Sequence, residues 1–170
     1  MSSVGKLFEV QIKKSVPDYA LLYRLPDAAQ SFGGGNLRFS RKNPFDFLLW
    51  DANKHILYAL ELKTVAGKSI SFERDKQEKG EIHYHQIKGL ESWAAYDGIV
   101  AGFVIEFRKI GKTVFIDILE FNKLIEQIDK KSFNFDDLDK YKIKYLVIEQ
   151  RKARTRYLYD IDKFLRDCDS

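Results

Sequence analysis

Two carboxylates and an amine stand at spacings that could cut a phosphodiester: Asp46 in Asn43-Pro44-Phe45-Asp46, then Glu61 and Lys63 in Glu61-Leu62-Lys63. The run 45–50 is apolar and aromatic around Asp46, 51–54 reads as a turn, and 56–65 is rich in β-formers. This pattern predicts a β-hairpin. Side chains alternate faces along a strand, so Glu61 and Lys63 are expected on one side, with Leu60 and Leu62 on the other, in a core. Pairing with the first strand can bring Asp46 beside them. Two oxygen-donor carboxylates suit Mg²⁺, which keeps several waters and binds through one or two carboxylates plus substrate phosphate oxygens. Such an ion acidifies a water and neutralises developing charge, and a nearby lysine orients the nucleophile or stabilises the transition state. An E-x-K triplet is also common on the solvated edges of ordinary sheets. Here, however, Asp46 lies inside a hydrophobic run and Glu61 is flanked by Tyr58-Ala59-Leu60 and Leu62. An acid in such a place is costly unless a cation meets it.

The surrounding elements must hold these groups. The chain predicts a short amphipathic helix over 5–14, with Leu7, Phe8 and Ile12 on its apolar side and Glu9 among them. Pro17-Asp18 breaks it, and 19–25 reads as a strand. Residues 26–42 contain Gly33-Gly34-Gly35 followed by Asn36-Leu37-Arg38-Phe39-Ser40-Arg41-Lys42. They are expected to form a flexible basic loop or protrusion, with Arg38, Arg41 and Lys42 as phosphate contacts. No Gly-Lys-Ser/Thr follows the glycines, so a nucleotide-binding P-loop is not expected.

Beyond the hairpin, 67–81 is polar and charged, a connection in which Lys68, Arg74, Lys76 and Lys79 are available to a nucleic-acid backbone. Residues 83–96 set Ile87, Leu90, Trp93 and Ala94 on one helical stripe, with Gln86 near the start. Strands are expected over 99–107 and 113–119 around a turn at Gly111, then a helix over 120–130. Short strands over 145–149 and 156–159 flank 150–155, and a helix over 160–167 closes the chain. This order predicts one α/β or α+β domain with a central mixed sheet flanked by helices.

Length and composition agree with a single domain: 170 residues, 45% hydrophobic and 14% aromatic. No apolar stretch approaches the ~20 residues needed to span a bilayer, and no signal-peptide core stands at the N-terminus. A soluble, cytoplasmic protein without a membrane partner is therefore expected. The single cysteine, Cys168, excludes a disulfide framework and a cysteine-based zinc site. The net charge is +4, and all of the surplus falls in residues 1–42, which hold seven Lys/Arg against three acids. A basic segment ahead of an acidic site offsets repulsion between phosphates and carboxylates.

His55, His83 and His85 show no third converging ligand, so surface or capping roles are expected in place of zinc binding. No Gly-x-Ser-x-Gly elbow supports a serine hydrolase. Arg151, Lys152 and Arg154, beside Tyr157 and Tyr159, form a basic turn that could grip phosphates or simply be a solvated hairpin tip.

Several ordered segments resemble a known family: Tyr23-Arg24-Leu25-Pro26-Asp27, Asn43-Pro44-Phe45-Asp46-Phe47, Tyr58-Ala59-Leu60-Glu61-Leu62-Lys63, Lys68-Ser69-Ile70-Ser71-Phe72, His85-Gln86-Ile87, and Tyr96-Asp97-Gly98-Ile99 running into Ala101-Gly102-Phe103. Together they look like the PD-(D/E)xK nuclease superfamily and, more closely, the RecU-type Holliday junction resolvases of Gram-positive bacteria and their phages. The resemblance implies a restriction-endonuclease-like core and a homodimer that nicks four-way branched DNA symmetrically with Mg²⁺ or Mn²⁺. It implies Asp46 and Glu61 as metal ligands, Lys63 as the catalytic lysine, and Glu9 and Gln86 as accessory site residues. Residues 26–42 would be the stalk that enters the junction centre, and recombination proteins would be further partners. The chain departs from the pattern in two ways. Pro44 precedes Asp46 by two positions instead of one, and the stalk is shorter than in the bacterial enzymes, as in a phage or prophage version. A non-catalytic DNA-binding module and a nuclease acting on linear duplex remain alternatives on the same residues.

Overall fold

The computed structural model of the chain describes residues 3–26, 43–154 and 156–168. The expected basic loop, with Arg38, Arg41 and Lys42, lies outside the described residues. Helix α1 spans Ser3–Lys13 and is followed by strands β1 (Ala20–Arg24), β2 (Phe47–Asp51) and β3 (Ile56–Val65). The three strands pair antiparallel in sequence order, with Leu49 opposite both Leu22 and Tyr58. Asp51 closes the β2–β3 turn by accepting from the backbone N–H groups of Asn53 and Lys54. The hairpin predicted around 51–54 is therefore present.

After β4 (Ser69–Ser71), helix α2 (Tyr84–Ala94) carries the chain across to β5 (Ile99–Phe107). The crossover brings β5 back parallel to β3, with Glu61 opposite Phe103 and Val65 opposite Phe107. A turn through Gly111, at φ 61°, reverses the chain into β6 (Lys112–Asp117), which pairs antiparallel with β5. Glycine takes that left-handed backbone without steric cost. Helix α3 (Ile118–Gln127), β7 (Ser132–Asn134), α4 (Phe135–Lys140) and β8 (Leu146–Val147) follow, then β9 (Gln150–Ala153), β10 (Arg156–Tyr159) and α5 (Ile161–Asp167). The main sheet has six strands in the order β1-β2-β3-β5-β6-β8; β4 pairs with β7, and β9 with β10, in two small sheets. This is the predicted mixed sheet flanked by helices, compatible with an α+β nuclease-like core.

Helices cover both faces. On one, α2, α3 and α4 pack over Ala59, Phe103, Ile105, Val114 and Ile116. On the other, α1, α5 and β10 enclose Phe47, Leu49, Tyr58, Leu60, Leu62, Val104 and Phe115. None of the described helices is long and apolar enough to cross a membrane.

Several expectations need correction. Leu7, assigned to the apolar side of the first helix, is 53% exposed, while Phe8 and Ile12 are buried. The stretch 67–81 is more than a connection, because Ile70 of β4 pairs with Phe133 of β7. Strand β6 stops at Asp117, whose carboxylate caps α3 by accepting from Leu119 N at 2.8 Å, so 118–119 are helical. Residues 150–153 are strand where a turn was expected.

Candidate active site

The site arises where β2 stops. Its first residue, Phe47, lies opposite Leu60, so among the described residues β3 has no strand neighbour on that side from Glu61 onward, while β5 accompanies it to Val65 on the other. Asp46 fills the gap with its own side chain: Oδ2 accepts from Leu62 N at 3.0 Å, in place of a strand carbonyl. Its backbone stays in the sheet, with Asp46 N donating to Leu60 O and Asp46 O accepting from Leu25 N. The carboxylate is thereby pinned beside the exposed half of β3.

Glu61 projects with Ala59 and Lys63 toward the face covered by α2, and it is 3% exposed. The sheet is covered on both faces, so the side expected to hold the catalytic groups is interior as well. Gln86 reaches in from the first turn of α2 and donates through Nε2 to Glu61 Oε1. Lys63 Nζ lies 3.0 Å from the same oxygen. The Gln86 amide is oriented by its Oε1, which accepts from His83 N at 2.9 Å. Glu73 anchors the start of α2: it accepts from Tyr84 N and Gly80 N and pairs with His83 Nδ1 at 2.8 Å.

Gly89 lets α2 approach. A Cβ there would stand 2.3 Å from Pro44 Cβ, so any larger residue would push the helix off the segment that delivers Asp46.

Glu9 comes from α1, on the opposite face of the sheet. Its Oε2 accepts from Arg24 Nε at 2.8 Å, while Oε1 is buried without a hydrogen-bond partner among the described residues. Burial is the main cause that pushes the Asp46 carboxyl above its usual range; the Leu62 N–H opposes it and the Glu9 charge adds to it. Burial likewise drives Glu61 up to about 8, opposed by the Lys63 ammonium and reinforced by the charges of Asp46 and Glu9. Glu9, Asp46 and Glu61 thus sit in mutual electrostatic reach, with Lys63 and Arg24 as the cations that oppose them.

Among the described residues, no group of three or more His, Cys, Asp or Glu side chains lies close enough to hold a metal ion by itself. Mg²⁺ does not need such a cage, since one or two carboxylates suffice when waters and substrate oxygens complete the shell. Asp46 and Glu61 are hard oxygen donors, so these two residues fit an ion of that kind whose shell waters and substrate oxygens complete.

The structure thus brings together Glu9, Asp46, Glu61, Lys63 and Gln86. It adds Arg24, which sequence reasoning had quoted but given no role; the contact that fixes Glu9 joins a helix to a strand, and no local pattern announces it. Lys68 is exposed in the turn after β3, at the end of the strand that carries Lys63. Arg151, Lys152 and Arg154 are exposed on β9 and the turn beyond it. His83 and His85 stack with ring centroids 5.5 Å apart at the start of α2, where His83 is the N-cap, and His55 packs edge-on against Trp50.

No family model matches the sequence, and no curated protein matches it at a significant level.

Proposed function

We propose that this chain is a divalent-cation-dependent DNA endonuclease that resolves four-way junctions by symmetric nicking in recombination and repair, working as a homodimer. The cleavage part is supported above all by one observation: Asp46, Glu61 and Lys63 converge at the open half of β3, with Asp46 replacing a missing strand and Gln86 fixing Glu61. The junction, the dimer and any recombination partner rest on the resemblance to RecU-type resolvases. Two-fold symmetry would give one active site per subunit for matched nicks in two strands.

Mg²⁺ or Mn²⁺ held by Asp46 and Glu61 would supply an acidified water and charge neutralisation at the scissile phosphate. Lys63 sets its Nζ beside Glu61 and is placed to steady the charge that grows on the phosphate. Gln86 holds the Glu61 carboxylate in one orientation, so little reorganisation accompanies reaction. Arg24 holds Glu9 through one carboxylate oxygen.

A second reading, a non-catalytic DNA-binding module on this fold, is favoured by the lack of a three-ligand cluster among the described residues. Calorimetric titration with Mn²⁺ separates the two. The nuclease assignment predicts saturable heat near about one ion per chain, lost in Glu61→Gln. No heat from the wild-type protein, together with DNA binding indifferent to divalent ions, would favour the module. A nuclease for linear duplex shares the chemistry and differs only in substrate.

A further inference from the structure

We propose that the groove between the end of α1 and the β9–β10 ribbon is a second site for the sugar-phosphate backbone of duplex DNA, separate from the catalytic carboxylates. It takes the identity of its polyanion from the nuclease reading. The groove has a volume of about 520 Å³, with Lys14 and Arg151 among its lining side chains and Ser15 and Tyr159 between them. Ser15 Oγ accepts from Tyr159 N at 3.0 Å and donates to Gln11 O at 2.8 Å, so the end of α1 is tied to β10.

The charges in this groove are unequally satisfied. Its two acids are engaged: Glu149 pairs with Lys163, and Asp160 caps α5 by accepting from Lys163 N at 2.9 Å. The groove's two cations, Lys14 and Arg151, have no carboxylate partner among the described residues, and neither have Lys152 and Arg154 on the ribbon outside its lining. Arg154 adds an exposed cation at the ribbon's tip. It stands at the ribbon turn with φ 50°, a left-handed backbone that favours glycine, yet the position carries a long cation.

The ribbon is also coupled to the catalytic strand. Tyr159 OH donates to Glu106 Oε1 at 2.8 Å, and Glu106 Oε2 accepts from Thr64 Oγ1 at 2.8 Å. Thr64 adjoins Lys63. Ile148 N donates to Thr113 O, which places the ribbon's root at the end of the sheet where β3 carries Lys63 and Val65. A polyanion cut at Glu61 and Lys63 and continuing past that end of the sheet would meet these unpaired cations. A two-stranded ribbon is narrow enough for a major groove of about 12 Å, and Tyr157, 39% exposed opposite Lys152, offers an aromatic face beside the charges.

Fluorescence anisotropy with a labelled linear duplex in EDTA, from 50 to 200 mM salt, tests this without any need for cleavage. Each lost phosphate contact flattens the slope of log K against log salt by about 0.9. The combined Lys14→Ala, Arg151→Ala variant is expected to flatten it by about 2 and to weaken binding roughly 10-fold at 100 mM salt. Arg154→Gly should weaken binding several-fold while the melting temperature holds or rises by about two degrees, an outcome that a purely structural role does not give. An unchanged slope and affinity in the combined variant would overturn the inference. So would displacement of the duplex by polyglutamate at equal charge concentration, which would assign the groove to an acidic protein. If the slope change appears but wild-type protein in Mg²⁺ never cuts DNA, the nuclease reading fails and the groove stands.

Discussion

Glu61→Gln and Asp46→Asn are each expected to lower Mg²⁺-dependent DNA cleavage by at least about 1,000-fold, roughly 4 kcal/mol of transition-state stabilisation. Both changes keep the volume of the side chain and remove the charge that a divalent ion needs. Asp46→Asn can still accept from Leu62 N through its amide oxygen, and Glu61→Gln can still accept from Gln86 and Lys63, so the fold is preserved. DNA affinity in EDTA should change by less than about threefold, because the cations proposed to meet phosphate lie elsewhere. Single-turnover cleavage of end-labelled DNA measures the first quantity and anisotropy the second. Near-normal cutting by either variant in Mg²⁺ would remove the catalytic assignment.

The same Glu61→Gln change should make the metal-free protein more stable at alkaline pH. Burial first, and the charges of Asp46 and Glu9 after it, raise the Glu61 carboxyl to about 8 despite the opposing Lys63 ammonium, against an ordinary value of 4.5. Between those values the folded chain holds a proton that the unfolded chain has released. Stability therefore falls as pH rises through that interval, and the loss is complete above about 8. The full effect is on the order of 4 kcal/mol. Glutamine carries no charge to desolvate, so the variant should lose this pH dependence and exceed the wild type in urea denaturation at pH 8.5, with the difference vanishing near pH 4. Adding Mg²⁺ at pH 8.5 should stabilise the wild type and leave the variant unmoved. Parallel pH profiles for the two proteins would show that Glu61 ionises without strain.

How far the sequence could be read depended on the length of each signal. The ten residues of β3 and the nine of β5 are long apolar runs, and both occur at the predicted bounds. Strand β7 has three residues, too few alternations for a period-2 pattern to register, whereas β8 falls inside the strand expected over 145–149 but keeps only two of its residues. Helix α4 was missed for a related reason: it has six residues and is held by its cap, with Asn134 accepting from Asp137 N, more than by any apolar stripe. In β9 the charged Arg151 and Lys152 point to opposite faces, so the strand carries no hydrophobic alternation.

The candidate site divides in the same way. Asp46 and Glu61 stood out because an acid inside an apolar run is costly, and the cost is visible in the sequence. The bond from Leu62 N to Asp46 was not legible, since it depends on β2 ending at Phe47. Nor was the Arg24–Glu9 pair, whose members lie on β1 and α1 and meet only once α1 packs on the sheet. Gly89 gave no signal of its own; its absent side chain matters only because Pro44 occupies the space.

The central claim is most directly tested by incubating the protein with a synthetic four-way junction and, separately, with a linear duplex of matched sequence, each with and without Mg²⁺. The account predicts paired nicks at symmetric positions in two junction strands of like polarity, only when Mg²⁺ is present, and little cutting of the duplex. Equal cutting of both substrates would keep the nuclease and remove the junction. No cutting of either, at protein concentrations that saturate DNA binding, would contradict the account.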